Sequence, residues 1–213
     1  MNLGEVNAEL DLIVQDASLS ANFTRWVNNA ILEIANDFSL PALRLNDPVT
    51  LSITESDWLY TMPSSYLRKL YKCYDENFNG VTIERSLDDI DSLDIDHNET
   101  GGNVTHVAVR DTKIGVFPMA VDTLSLWYYQ KPTTDDLTCI PAQYHYRVLV
   151  PKIVIINFEL WQDMAVNPPH KSLEYWHGKY HAGLYGDGSD IGMINSLARD
   201  KKVRRHGGSD PLP

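Results

Sequence analysis

Two cysteines are all that this chain of 213 residues contains. Cys73 and Cys139 form no CxxC pair and lie far apart in sequence, so no disulfide framework is expected and both read as reduced thiols of a protein made in a reducing cytoplasm. Cations are scarce as well: 18 Lys and Arg against 29 Asp and Glu leave a formal net charge of −11. A chain this acidic is excluded from binding nucleic acid over its whole surface, which needs cations to displace counterions from phosphate. No apolar run is long enough for a bilayer; the most apolar, residues 148–160, is interrupted by Lys152, Asn157 and Glu159 and reads as a core helix. Residues 1–20 carry Glu5, Glu9, Asp11 and Asp16 without a basic start or an apolar stretch, so no signal peptide is expected. Catalytic signatures are missing too: there is no GxSxG elbow, no GxxxxGK[ST] and no GxGxxG.

What is present is the composition of a folded protein, 43% hydrophobic and 22% charged, which removes disorder as a reading of the whole chain. Its length suits one composite domain, or a domain carrying an insertion. Leu3, Val6, Leu10, Ile13, Val14 and Ala17 lie on one helical face, behind a capping-box pair, Asn2 and Glu5. From Ser20, read as an N-cap, the set Phe23, Trp26, Val27, Ala30, Ile31, Ile34 and Phe38 repeats at three and four, a second helix ended by Pro41. The middle of the chain reads as short strands: 48–54, then a connector at 58–63, then 67–74 with Leu67, Lys69, Tyr71 and Cys73 on one face. Asn79-Gly80 signals a hairpin into 81–84. An acidic surface helix over 86–96, a turn at 100–103, and a hairpin of 106–110 with 113–117 around Asp111-Thr112 follow.

The stretch from Lys113 to Asp163 is the most telling. In it Leu124, Leu126 and Tyr128 alternate with Ser125, Trp127 and Tyr129, the period of a strand with two different faces. Ile140-Pro141 then opens a helix with Tyr144, Val148, Leu149, Ile153, Ile156 and Leu160 at helical spacing. The fold class is thus α+β: a helical bundle (1–47 and 133–184), an inserted small antiparallel β-sheet or sandwich (48–132), and an extended C-terminal helix and tail (185–213). Asn167-Pro168-Pro169 is a stop, 170–184 an aromatic helix, and 189–203 a last helix with Ile191, Ile194, Leu197 and Ala198 on one face.

The order of Trp26-Val27-Asn28-Asn29-Ala30, Tyr60-Thr61-Met62-Pro63, Gly115-Val116-Phe117-Pro118, Trp127-Tyr128-Tyr129-Gln130-Lys131-Pro132 and Ile140-Pro141 resembles the head-to-tail adaptor proteins of tailed bacteriophages. These are also called head-completion or tail-tubular-type connectors. The resemblance runs over roughly residues 20–163; Pro151 inside the long helix departs from it, and 185–213 lie outside it. It implies a helical bundle with a β insertion, no catalytic residues, and a ring, usually of twelve copies, under the portal vertex. The partners it implies are the portal protein, a tail or nozzle protein and other copies of the chain, with genomic DNA passing through and no membrane. The place is the virion's head-tail interface. A tail stopper or terminator-type ring protein is the nearest alternative.

Several residue groups invite sharper readings. Glu174, His177 and His181 stand at i, i+3 and i+7 and could turn three ligands toward one metal, which would make a metal-dependent enzyme. The glutamate of a zinc-protease helix is missing, however, and Tyr175, Trp176 and Tyr180 favour an interface helix, so no metal, cofactor or catalytic residue is expected. Asp88, Asp89, Asp91, Asp94, Asp96 and Glu99 lack the glycine and spacing of a calcium loop and read as a solvated face, one that would let DNA slide if it lined a channel. Trp127, Tyr128 and Tyr129 have no interleaved cations before Lys131, which favours core and subunit contact over base stacking. Ile191, Ile194 and Leu197, the cations Lys201, Lys202, Arg204 and Arg205, and Trp176 with Tyr180 are the expected portal or subunit interface. Gly183, Gly186, Gly188 and Gly192 read as a hinge before that arm.

Overall fold

The structure, a computed structural model, describes residues 1–164, 171–188 and 191–198. It is mixed α+β and divides into two compact units, Met1–Ala42 with Pro132–Pro213, and Leu43–Lys131.

The first unit is helical. Helix α1, Leu3–Val14, starts from the capping box of Asn2 and Glu5 and buries Val6, Leu10 and Val14. A 3-10 turn, Ala17–Asn22, precedes α2, Phe23–Asp37. Ser20 therefore does not cap α2: the Asp16 carboxylate accepts from the Ser18 N–H and starts the 3-10 turn instead. The apolar face of α2 is buried as its spacing requires, from Phe23 to Ile34. Across the unit, Asn28 and Asp135 exchange two hydrogen bonds of 2.9 and 2.8 Å, fixing the linker after the β unit to α2.

The long C-terminal helix does not open as a regular one. After 3-10 turns at Leu137–Cys139 and Ala142–Tyr144 comes a π-helical turn, His145–Leu149, then α4, Val150–Met164. The cause is Pro151. In a continuous α-helix its ring would press on the carbonyl of Arg147 and it has no N–H to donate there. The π turn just before it shifts the pairing, so that the Val150 N–H donates to His145, five residues back. The buried stripe consequently runs through Val150, Ile153, Val154, Asn157, Phe158 and Trp161, while Ile156 is half-buried and Leu160 exposed, against the expected phase. Asn157 is tolerated on this face because its amide donates to the Ile153 carbonyl, 2.8 Å away. Helix α5, Leu173–Tyr185, follows from the cap Ser172.

The second unit is two sheets. The first has strand order β1-β7-β3, with β1 at Val49–Ile53, β3 at Tyr66–Tyr74 and β7 at Asp122–Gln130. The second has order β2-β6-β5-β4, with β2 at Leu59–Thr61, β4 at Thr82–Ile83, β5 at His106–Arg110 and β6 at Lys113–Phe117. The segment read as a connector thus contains a strand, β2, paired with β6. Their facing residues, among them Leu70, Leu124, Leu126 and Tyr128 from one sheet and Val107, Ile114 and Val116 from the other, form one core. Helix α3, Leu87–Leu93, capped by Ser86 and Asp89, covers the far side of the second sheet. Leu87 and Ile90 pack there on Ala108, and Gly115 leaves the space: a Cβ on it would meet Leu87 at 2.8 Å and Trp58 at 3.1 Å.

Strand β3 breaks the alternation expected of it. Register shifts between Tyr66 and Lys72, with Lys69 at a φ of 47°, bury Leu70 and Cys73 and leave Lys69 outside. The turn after it is not an Asn-Gly turn either: the positive φ falls on Phe78, and Asp75 organises the loop. This buried carboxylate accepts from the N–H groups of Asn77 and Asn79 at 2.9 and 2.6 Å and from the side chains of Asn79 and Asn103 at 2.8 and 2.7 Å. Burial raises its affinity for a proton, but the hydrogen bonds from Asn103 and Asn79 and then the backbone outweigh it and hold the carboxyl below its ordinary value. The stability it supplies is complete above the unfolded value of about 4 and is lost as pH falls through the lower folded value. Asp75→Asn, which turns an acceptor into a donor facing donors, is expected to cost about 2–3 kcal/mol near neutral pH. In urea denaturation its difference from the parent should shrink as pH falls through the lowered folded value of Asp75.

Candidate assembly surfaces

The C-terminal arm is packed in a way its glycines do not announce. Gly183 lies in α5 against the π turn, where a Cβ would sit 2.2 Å from the carbonyl oxygen of Arg147. A Cβ on Gly192 would lie 2.3 Å from the backbone of Gly186 and Tyr185. Both glycines serve close backbone approach rather than a hinge. Gly186 bridges Ile191, the Tyr144 hydroxyl donates to the Ile191 carbonyl at 3.2 Å, and the Asn195 amide donates to the Tyr185 carbonyl at 2.9 Å. The helical stretch begins at 193 rather than 189, and Met193, which the sequence reading passed over, is fully buried. Ile191 is exposed, Ile194 and Leu197 half-buried. Lys201, Lys202, Arg204 and Arg205 lie outside the described residues.

Trp176 and Tyr180 are held within the helical unit. Trp176 is buried edge-on to Tyr175. The buried Tyr180 hydroxyl has no hydrogen-bond partner among the described residues; burial, then Asp37 and Glu33, push its ionisation up. Lys152 crosses this ring at 5.5 Å and pairs with Glu33 at 2.8 Å. Beside it, Glu174, His177 and His181 line a shallow depression with Asp37, Phe38 and Leu184. Among the described residues no three His, Cys, Asp or Glu are placed to hold a metal ion. Added zinc, or a chelator, is expected to leave both melting temperature and oligomeric state unchanged, since a bound metal would stabilise the state that binds it. A shift abolished by His177→Ala would give the cluster a metal.

A groove of about 200 Å³ runs between α1, the π turn and α5. Leu12 is 70% and Tyr146 48% exposed along it, and Lys179 lies 5.2 and 5.5 Å over the rings of Tyr146 and Tyr175. On the β unit, Trp127 and Tyr129 stand on the outer face of the first sheet while Tyr128 points into the core, where its hydroxyl meets that of Ser65 at 2.6 Å. The cations missing around them in sequence arrive from β3 and from the segment just before β1. Lys72 lies 4.6 Å over Tyr74 and 4.7 Å over Trp127, and Arg44 lies 4.1 Å over Tyr71. The one available signal was Arg68-Lys69 and Lys72 on an aromatic strand without a carboxylate.

Burial pushes both thiols up to about 12, helped at Cys73 by Asp122 and Asp75 and at Cys139 by Asp136, so neither is an activated nucleophile. No described helix is long and apolar enough to cross a membrane. No curated protein matches the chain. The profile of the SU10 adaptor protein matches residues 1–165, which takes in every motif that carried the phage resemblance. The chain belongs to the SU10 adaptor family, structural proteins of the phage virion that act as head-to-tail adaptors.

Proposed function

We propose that this chain forms a ring, of twelve copies by analogy with similar connectors, that joins the capsid portal to the tail and continues the DNA channel. The family match over residues 1–165 is the observation that carries this reading. The helical unit would make the ring body, and Ile191, Ile194 and Leu197 with the cations Lys201, Lys202, Arg204 and Arg205 would meet the portal. Trp176, held inside, would brace that surface, and half-buried Tyr180 would stand at its edge. At −11 per copy self-repulsion opposes unassisted closure at low salt, so the ring should close on the portal rather than before it.

The test is co-sedimentation with portal-containing heads. Because Met193 and Gly192 belong to the packed body, the informative truncation ends the chain after Ala198. It should keep the parent's circular dichroism and melting temperature yet lose stable attachment. Attachment as tight as the parent's would remove Lys201, Lys202, Arg204 and Arg205 from the portal contact, and failure of the full chain to bind heads would end the portal-joining reading.

A further inference from the structure

The β unit carries opposite charge on its two outer layers. On one side lies the outer face of the β1-β7-β3 sheet: Thr50 and Ser52 across from Ser125 and Thr123, Lys72 across from Trp127, Tyr74 across from Ser125. Arg44 and Lys72 are exposed there over the aromatic rings, and Arg68 stands opposite Tyr129. The only carboxylate on these three strands, Asp122, is buried, its oxygens taken by the N–H groups of Glu76, Val104 and Thr123. On the opposite side, beyond the shared core and the second sheet, α3 and its exit present Asp88, Asp96 and Glu99 to solvent. Two apolar side chains stand exposed among them: Leu93 at 42%, and Ile95 at 83% between Asp94 and Asp96.

We propose that these faces are the two halves of one contact between copies, the α3 edge of one copy seating Leu93, Ile95 and its carboxylates on the cation-aromatic sheet face of the next. The proposal rests on the ring reading and deepens it. Either face brought against itself sets like charges together; only the head-to-tail arrangement brings opposite charges together. Such a heterologous contact leaves one face of each kind open at the ends of a chain of copies, and closure into a ring satisfies both. Exposed aliphatics gain by covering the aromatic rings, while the aspartates meet Lys72 and Arg44. The sheet face suits nucleic acid less well, because its rings already pack edge to face under their cations: Tyr74 on Trp127 at 5.6 Å, Tyr71 on Tyr129 at 5.8 Å.

The test is thiol cross-linking of the full chain bearing Thr50→Cys and Ser92→Cys, free and on portal-containing heads. The native thiols are buried and raised to about 12, so a short bis-maleimide joins only the new ones. The double variant should give a ladder of multimers on a denaturing gel, and each single variant none. Lys72→Glu should erase the ladder, and adding Asp88→Lys with Asp96→Lys to it should restore the ladder. No ladder in either setting, single-variant dimers as abundant as the ladder, or indifference to Lys72→Glu would each overturn the proposal. Competition by a short DNA duplex at physiological salt would reassign the sheet face to nucleic acid. Heads that bind the chain without a ladder leave the adaptor role standing and remove this contact; a ladder without head binding does the reverse.

Discussion

Trp26→Ala is expected to lower the unfolding free energy of the helical unit by about 3–5 kcal/mol. Trp26 is 2% exposed in the middle of the most regular apolar face of the chain, tilted against Phe23 at 5.5 Å between ring centroids, with Val27, Ala30 and Ile31 buried alongside. Truncation removes the largest side chain of that face and leaves a cavity that the helix backbone cannot follow. The buried indole N–H has no hydrogen-bond partner among the described residues, which adds a second expectation. Trp26→Phe keeps much of the volume and removes that unpaired donor, so it should cost less than half as much. Chemical denaturation followed by far-ultraviolet circular dichroism reads both. An alanine variant with the parent's midpoint would place Trp26 in water, and a phenylalanine variant as damaged as alanine would mean that the N–H has a partner.

Gly183→Ala should be destabilising by about 3 kcal/mol or more, toward the upper end of what overpacking costs. The new methyl would sit 2.2 Å from the Arg147 oxygen and 2.7 Å from its carbonyl carbon, and backbone held by a π turn cannot rotate aside as a side chain could. Gly178→Ala is its control on the same helix. Nothing lies within 4 Å of a Cβ at Gly178, so the identical substitution there should stabilise, by about 1 kcal/mol from helix propensity. Opposite signs in thermal unfolding would establish close approach as the reason for glycine at 183. Equal effects would mean that α5 and the π turn are not in contact.

The elements that could be read from sequence are those governed by one local period. Helices α1, α2 and α3, the β5-β6 hairpin and the two faces of β7 follow from local pattern, α1 with its capping box and α2 from spacing alone, and the α+β class follows from them. What could not be read depends on distant partners. Strand β2 is three residues long and exists because β6 lies beside it. The inward side chains of β3 are chosen by bulges against β7, which no period reports. The π turn is a response to Pro151, and it moved the stripe of α4 away from Ile156 and Leu160. At the candidate surfaces the aromatic half was visible at Trp127 and Tyr129. Its cations were not, because Lys72 reaches Trp127 from β3 and Arg44 covers Tyr71, the ring packed on Tyr129, from outside the strands.

Where the chain enters and leaves the β unit, its two segments are joined: Arg44 bridges Tyr129, and the Leu45 N–H donates to the Tyr128 carbonyl. For the helices on either side, a folded β unit is therefore no longer a long flexible insertion but a short clasp. The entropy of closing a loop grows with the logarithm of its length, so most of that cost is met once β1 and β7 have paired. Folding of the insertion should then hasten assembly of α2 with the π turn and α4, and variants that weaken β1-β7 pairing should slow it. The same clasp makes the insertion a replaceable cassette: a different unit with adjacent ends can occupy its place without lengthening the path between α2 and α4.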